Sequence, residues 1–351
     1  MVSSLVCFTG QTMTASALPA WKWQGRPVRL VDGTTVPMAD TPTNQAAFPQ
    51  PTSQKPGLGF PICRLLALFC LSSGAVLDAA TCAYHGKGND EQTLLRQLLD
   101  RLESNTVLVG DAFFATFFLL AELQRRGVDG VFEQHGARRR STDFRRGCRL
   151  GERDHSVVLE KPKVRPLWMT EKQYAEAPAT LTVRELRVGG KTLVRTLLSA
   201  KQVPKNELKS LYRQRWHVEL DFRCLKTTMG MEMLTCKSPA MAIKEIWVYL
   251  LAYNLIRHMM LQAACMEALL PRQLSFRHAL QLCMAYRHHL ADPDPETFQA
   301  MLRLIARRRV GQRSGRIEPR AVKRRPKAFP LLTKRRHLAR EEVRIHGHPG
   351  R

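Results

Sequence analysis

Residues 106–114 read TVLVGDAFF. The run Thr106 to Gly110 is short, apolar and uninterrupted, which is how a strand buried on both faces reads. Asp111 stands at its end. Residues 112–126 then return as a helix, with Phe117, Leu120 and Leu123 at helical spacing. In sheets with crossover helices, ligands sit just beyond the carboxyl ends of strands, so an acid at this place is a candidate functional group. The same Asp could instead cap the helix that follows.

Working outward, residues 130–134 form another short strand. On the amino-terminal side, residues 89–103, NDEQTLLRQLLDRLE, place five Leu on one face; Asn89 can cap this helix, with Asp90 and Glu91 in its first turn. Residues 60–69 and 75–84 are apolar runs split by Ser72-Ser73-Gly74 and read as a hairpin. Residues 41–57 read as a loop. Residues 27–38, PVRLVDGTTVPM, read as a strand, with Asp32 at its end and Gly33 giving a turn. An Asp before a Gly is most often a local backbone cap, which is the plain reading of Asp32 taken alone. Residues 1–20 are assigned no structure. The order strand, two strands, helix, strand, helix, strand fits an α/β fold with an RNase H-like mixed sheet.

Beyond residue 136 the composition shifts. Arg138, Arg139, Arg140, Arg145, Arg146 and Arg149 crowd one stretch, read either as a solvated loop or as a phosphate contact. Short β-rich pieces follow at 155–159, 180–188 and 191–198, with Gly189-Gly190 as a hairpin turn. Trp168 in this region reads as a packing residue, with stacking on an unpaired base as the alternative. Residues 136–204 are therefore expected to be an inserted β-rich lobe. C-terminal helices follow at 239–264, 274–289 and 295–307. Residues 307–351 carry sixteen Lys or Arg against Glu318, Glu341 and Glu342, and read as a largely disordered basic tail. The expected segments are 1–26, a short start; 27–135 and 205–265, the two parts of the core; 136–204, the lobe; 266–306, helical; and 307–351, the tail.

Between the lobe and the C-terminal helices lies LYRQRWHVELDFRCLKTTMG, residues 211–230, which reads as one helix. With Tyr212 at zero and roughly 100° per residue, Arg215 falls near 300°, Lys226 near 320° and Glu219 near 340°. These four share one stripe beside the apolar stripe of Leu211, Val218, Phe222 and Leu225. Asp221 lands on another side. A carboxylate flanked by fixed cations and a phenol suits a metal-bound phosphodiester: Glu219 for a hard cation, Arg215 and Lys226 for phosphate oxygens.

The whole chain has 351 residues, 44% hydrophobic, with a formal net charge of +25. That balance points to a polyanion, nucleic acid before an anionic membrane surface. Nine Cys with no Cys-x-x-Cys pair read as reduced thiols of a cytosolic protein. No apolar run is long enough to span a bilayer, so no membrane partner is expected.

The spacing Tyr212, Arg215, Glu219, Lys226 resembles the YREK signature of bacterial insertion-sequence transposases of the insertion-sequence-four type. The segments LVDGTTV around Asp32 and TVLVGDAFF around Asp111 resemble the same family, over roughly residues 28–260. The resemblance implies a DDE triad of Asp32, Asp111 and Glu219 binding two Mg2+, or Mn2+ in their place. It implies cleavage of double-stranded DNA at element ends, strand transfer into target DNA, and a homodimer in the synaptic complex, in the cytoplasm at the nucleoid. Tyr212, Arg215 and Lys226 would hold phosphates. Family members carry a helical DNA-binding domain before the first Asp, so the chain is expected to be truncated at its start. The alternatives are a plain nuclease on the same fold and a non-catalytic DNA-binding remnant.

Overall fold

A computed structural model describes residues 1–139, 142–290, 294–311 and 333–347. Its strands are β1 (Val28–Pro37), β2 (Ile62–Cys70), β3 (Val76–Ala83), β4 (Val107–Gly110), β5 (Asp129–Glu133), β6 (Cys148–Gly151), β7 (Asp154–Glu160), β8 (Thr180–Val188) and β9 (Lys191–Arg195). They form one nine-stranded sheet in the order β3-β2-β1-β4-β5-β9-β8-β7-β6. β1–β4 and β4–β5 pair parallel. The hairpins β1–β2–β3 and β7–β8–β9, and the joint between β5 and β9, are antiparallel. The fold is mixed α/β. The strands of residues 136–204 continue the sheet through β9, rather than standing apart from it.

Alternation along the strands sends Leu30, Val109 and Val131 to one face and Val31, Leu108 and Phe132 to the other, into two separate buried clusters. On the second face lie α3 (Glu91–Leu98) and α4 (Phe117–Arg125), which bury Leu94, Leu95, Leu98, Leu120 and Leu123. The first face carries α7 (Lys205–Arg213), α8 (Trp216–Arg223), α9 (Pro239–Met266), α10 (Phe276–Ala285) and α11 (Pro295–Arg307). Short helices α2 (Pro42–Ala47), α5 (Gly136–Arg139) and α6 (Glu171–Glu176) lie in connections.

Several local expectations are corrected. Residues 1–20 are not structureless: α1 (Val2–Ala15) packs on α9 and β3, burying Val6 and Met13. Gly10 makes that approach feasible, because a Cβ there would fall 2.3 Å from the Val76 carbonyl oxygen. The strand does not turn at Gly33. β1 runs through it, pairing Asp32 with Ala67 and Gly33 with Leu66, so Asp32 is mid-strand. Ladder pairing over ten residues outweighs the local turn preference of Asp-Gly. The cap of α3 is Asp90, accepting from the Thr93 amide, and not Asn89, which holds the His85 carbonyl. Residues 112–126 split into a 3-10 turn at Ala112–Phe114 and α4. The single helix expected over 211–230 is three pieces: α7, α8 after a turn at Gln214–Arg215, and a π-helical turn at Cys224–Thr228.

The tail is not wholly without structure. α12 (Arg336–His346) returns to the loop before β2, where Arg336 lies 3.6 Å from the Phe60 ring centroid and donates to the Leu58 and Gly59 carbonyls. Asp40 pairs with Arg336 and Arg340. Residues 312–332 lie outside the described residues. No helix among the described residues is long and apolar enough to cross a membrane. All nine Cys are free thiols.

Candidate active site

Parallel pairing sets Leu30 opposite Val109, and the same register carried two residues further sets Asp32 beside Asp111. Both project from the face that bears Leu30 and Val109, the face covered by α8. α8 is held there by Val218 and Phe222, whose ring meets Phe69 edge-on at 5.2 Å between centroids. Glu219 lies in its first turn. Arg215, in the turn before α8, joins the two elements: Nη1 is 3.3 Å from Asp32 Oδ2 and Nη2 donates to Glu219 Oε1 at 2.8 Å.

The electrostatics follow from this packing. Burial pushes Asp32 up to about 6. The Gly33 amide and Arg215 oppose that push; the Asp111 and Glu91 charges reinforce it. Burial works against the charge of Arg215, but its bond to Glu219 and the charges of Tyr212, Asp32 and Glu219 leave its pKa raised. Lys226 donates to the Thr35 carbonyl at 2.9 Å and reaches Thr34 Oγ1 at 3.4 Å, which places its ammonium beside β1. Tyr212 is buried, which pushes its phenol up, and its hydroxyl stands 3.5 Å from Glu133 Oε2. Glu133 also pairs with Lys191 at 2.6 Å.

The structure thus brings Asp32, Glu219, Arg215 and Lys226 to one stretch of β1, with Asp111 in register beside it. Asp111 also does what its local sequence allows: its carboxylate accepts from the Phe113 amide at 2.8 Å. Among the described residues, no group of three His, Cys, Asp or Glu is placed to hold a metal ion. The donor set nevertheless fits a hard divalent cation, because Asp32 and Asp111 are oxygen donors whose like charges raise the Asp32 pKa and Arg215 alone offsets them.

The weaker candidates separate. Arg138 is engaged by the buried Glu185, at 2.9 Å. Arg145 and Arg146 flank Asp143 with their side chains 90% and 83% exposed, so both are open to a phosphate. The Arg139 side chain and all of Arg140 lie outside the described residues. Trp168 is a packing residue: the Arg96 guanidinium sits 4.0 Å from its ring centroid and Phe118 meets it edge-on. Sequence reasoning missed Glu91. It pairs with Arg64 at 3.0 Å and lies so close behind Asp32 that a Cβ on Gly33 would fall 2.4 Å from its carboxylate. Its signal was an acid directly after the capping Asp90, which reads as ordinary helix-dipole pairing.

Comparison with known proteins follows this geometry. A family model described as "Transposase DDE domain" matches residues 23–255. "Transposase InsG for insertion sequence element IS4" of Escherichia coli (strain K12) is 29% identical over 332 residues, covering 91% of this chain and 73% of that protein. Among solved structures, the cryo-EM structure of the piggyBac transposase synaptic complex with hairpin DNA is similar with a TM-score of 0.44 at 10% identity. That match covers 79% of this chain, which spans a little over half (57%) of the piggyBac chain.

Proposed function

This chain belongs to the DDE-domain transposases, of the insertion-sequence-four type, and we propose that it cuts DNA at the ends of an insertion sequence and joins them to a target. The single observation that supports this most is the Arg215 bridge from Asp32 on β1 to Glu219 on α8, with Asp111 in register beside Asp32. It gathers the three acids of the DDE pattern on one face of an RNase H-like sheet.

In this reading Asp32, Asp111 and Glu219 hold divalent cations, Mg2+ or Mn2+. Such ions supply activation of the attacking oxygen and stabilisation of the leaving oxygen in an in-line displacement. The chain's own groups do the rest. Arg215 exchanges its carboxylates for a phosphate oxygen, which its planar fork can grip in two places. Lys226, already fixed against β1 by the Thr35 carbonyl, places a point charge beside the same phosphodiester. Tyr212, held as a neutral phenol by burial, keeps a donor for a third oxygen. Exposed Arg145 and Arg146 extend the contact along the DNA backbone without reading sequence. Two copies would act together, one on each element end.

The test is an assay of nicking and strand transfer on end-containing DNA with Mg2+, comparing the parent with Glu219→Gln. Nicking and joining by the parent alone supports the reading. Nicking without joining assigns a plain nuclease. DNA binding with no nicking by either protein assigns a non-catalytic binding chain, a reading favoured only by the basic surface.

A further inference from the structure

The largest cavity among the described residues, about 740 Å³, is not the carboxylate site. It opens at the start of β1, where α1 ends, and is bounded beyond by the turn between α7 and α8. Its volume falls within the ~300–1,000 Å³ of small-ligand sites. Trp21 and Trp23 line it, together with Lys22, Arg29, Arg272 and Arg309, and no Asp or Glu does. Arg272 is neutralised by Asp221 behind the wall, at 2.9 Å. Arg29 is not neutralised in this way. It is 4% exposed, and its one side-chain partner is Cys70 Sγ at 3.3 Å, with no carboxylate in reach. A buried guanidinium without a counter-charge is costly, and an anion entering the cavity would relieve it. Paired indoles beside uncompensated cations offer two complementary surfaces: a flat one for a ring and a charged one for an oxyanion.

We infer that this cavity takes one unpaired nucleotide of a DNA strand, with its base against Trp21 and Trp23 and its phosphate on Arg29, Lys22 and Arg309. The choice of DNA as the source rests on the function proposed above. Position agrees with it: Arg29 precedes Asp32 by three residues on β1, about 10 Å of strand. A single strand engaged at the carboxylates therefore has the cavity within a few nucleotides.

The test uses the full chain carrying Asp32→Asn, without divalent metal, so that binding is read separately from cutting. A short oligonucleotide with one 5-bromodeoxyuridine is irradiated on the protein and the cross-linked peptide is mapped. The expected adduct lies within residues 21–23, and it disappears in Lys22→Glu combined with Arg309→Glu, a protein whose far-UV circular dichroism should match the parent. An abasic site at the same position should weaken binding roughly fivefold to a hundredfold. Adducts confined to Trp168 or Trp216, or an adduct indifferent to the charge reversals, would overturn the inference. So would free 5-bromodeoxyuridine monophosphate that labels residues 21–23 as well as the oligonucleotide does, which would make this a pocket for soluble nucleotides. A chain that never nicks DNA can pass this test, and a nicking chain can fail it.

Discussion

Two carboxylates stand two residues apart on α8 and live in opposite surroundings. Glu219 is 38% exposed and shares one guanidinium, that of Arg215, with Asp32. Asp221 is fully buried and takes Arg257 at 2.7 Å, Arg272 at 2.9 Å and the Tyr253 hydroxyl at 3.0 Å. Both are Arg–carboxylate clusters, yet only one can change partners. Opening the Asp221 cluster leaves charges stranded in a dry interior. Opening the Glu219 cluster exposes its charges to water, to a cation or to a phosphate. The closed cluster ties α8 to α9 and to the 3-10 turn Pro271–Gln273, which keeps the open one aimed at β1.

The largest contrast should come from the open side. Glu219→Gln should lower metal-dependent nicking by roughly a hundredfold to a thousandfold, the scale of losing a preorganised charged group. Its unfolding free energy should change by less than about 1 kcal/mol, as for an exposed ion pair. Nicking rates on supercoiled DNA and urea titrations measure the two quantities.

Asp221→Asn should invert that pattern, although the helical wheel predicts a nearly normal protein. Breaking a buried pair costs about 3–5 kcal/mol. The urea midpoint should fall accordingly, and any loss of nicking should track the unfolded fraction. An Asp221→Asn protein as stable as the parent would erase the distinction between the two clusters.

Gly33→Ala probes the packing behind the open cluster. Its new Cβ would meet the Glu91 carboxylate and push it from Arg64, with a loss of about 1–3 kcal/mol, as for overpacking. Adding Glu91→Ala should restore most of that loss in a double-mutant cycle.

The smallest effect is a pH dependence on the closed side. Burial lowers His217 to about 4, and the Arg272 charge adds to it. Its folded pKa lies below its ordinary value near 6.5, so the unfolded chain binds the proton better. The contribution of His217 is therefore complete above about 6.5 and is lost as pH falls through about 4. The thermal midpoint should decline over that window, and His217→Gln should make the decline shallower.

Much of this was legible in the sequence, for identifiable reasons. The buried strand VLVG and its terminal Asp111 declare themselves through an uninterrupted apolar run. Tyr212, Arg215, Glu219 and Lys226 share a stripe because three- and four-residue steps survive a one-turn break in the helix. What stayed hidden depended on partners distant in sequence. Asp-Gly at 32–33 has a local turn preference, and only pairing with β2 overrides it. The weakly helical residues 2–15 fold because β3 and α9 offer Val6 and Met13 a surface. Asp221 looked like a surface acid because both of its arginines lie more than thirty residues downstream.

The docking of α12 has a consequence in time. Arg336 reaches a carbonyl 277 positions earlier in the chain. At ribosomal speeds of about 5–20 residues per second, Gly59 waits roughly 14 to 55 s for that partner. During that interval Phe60 has no cation over its ring and Asp40 has neither arginine. The seated helix thus reports that translation has passed residue 336, and a protease meeting the nascent chain would find the loop at 50–60 uncovered until then.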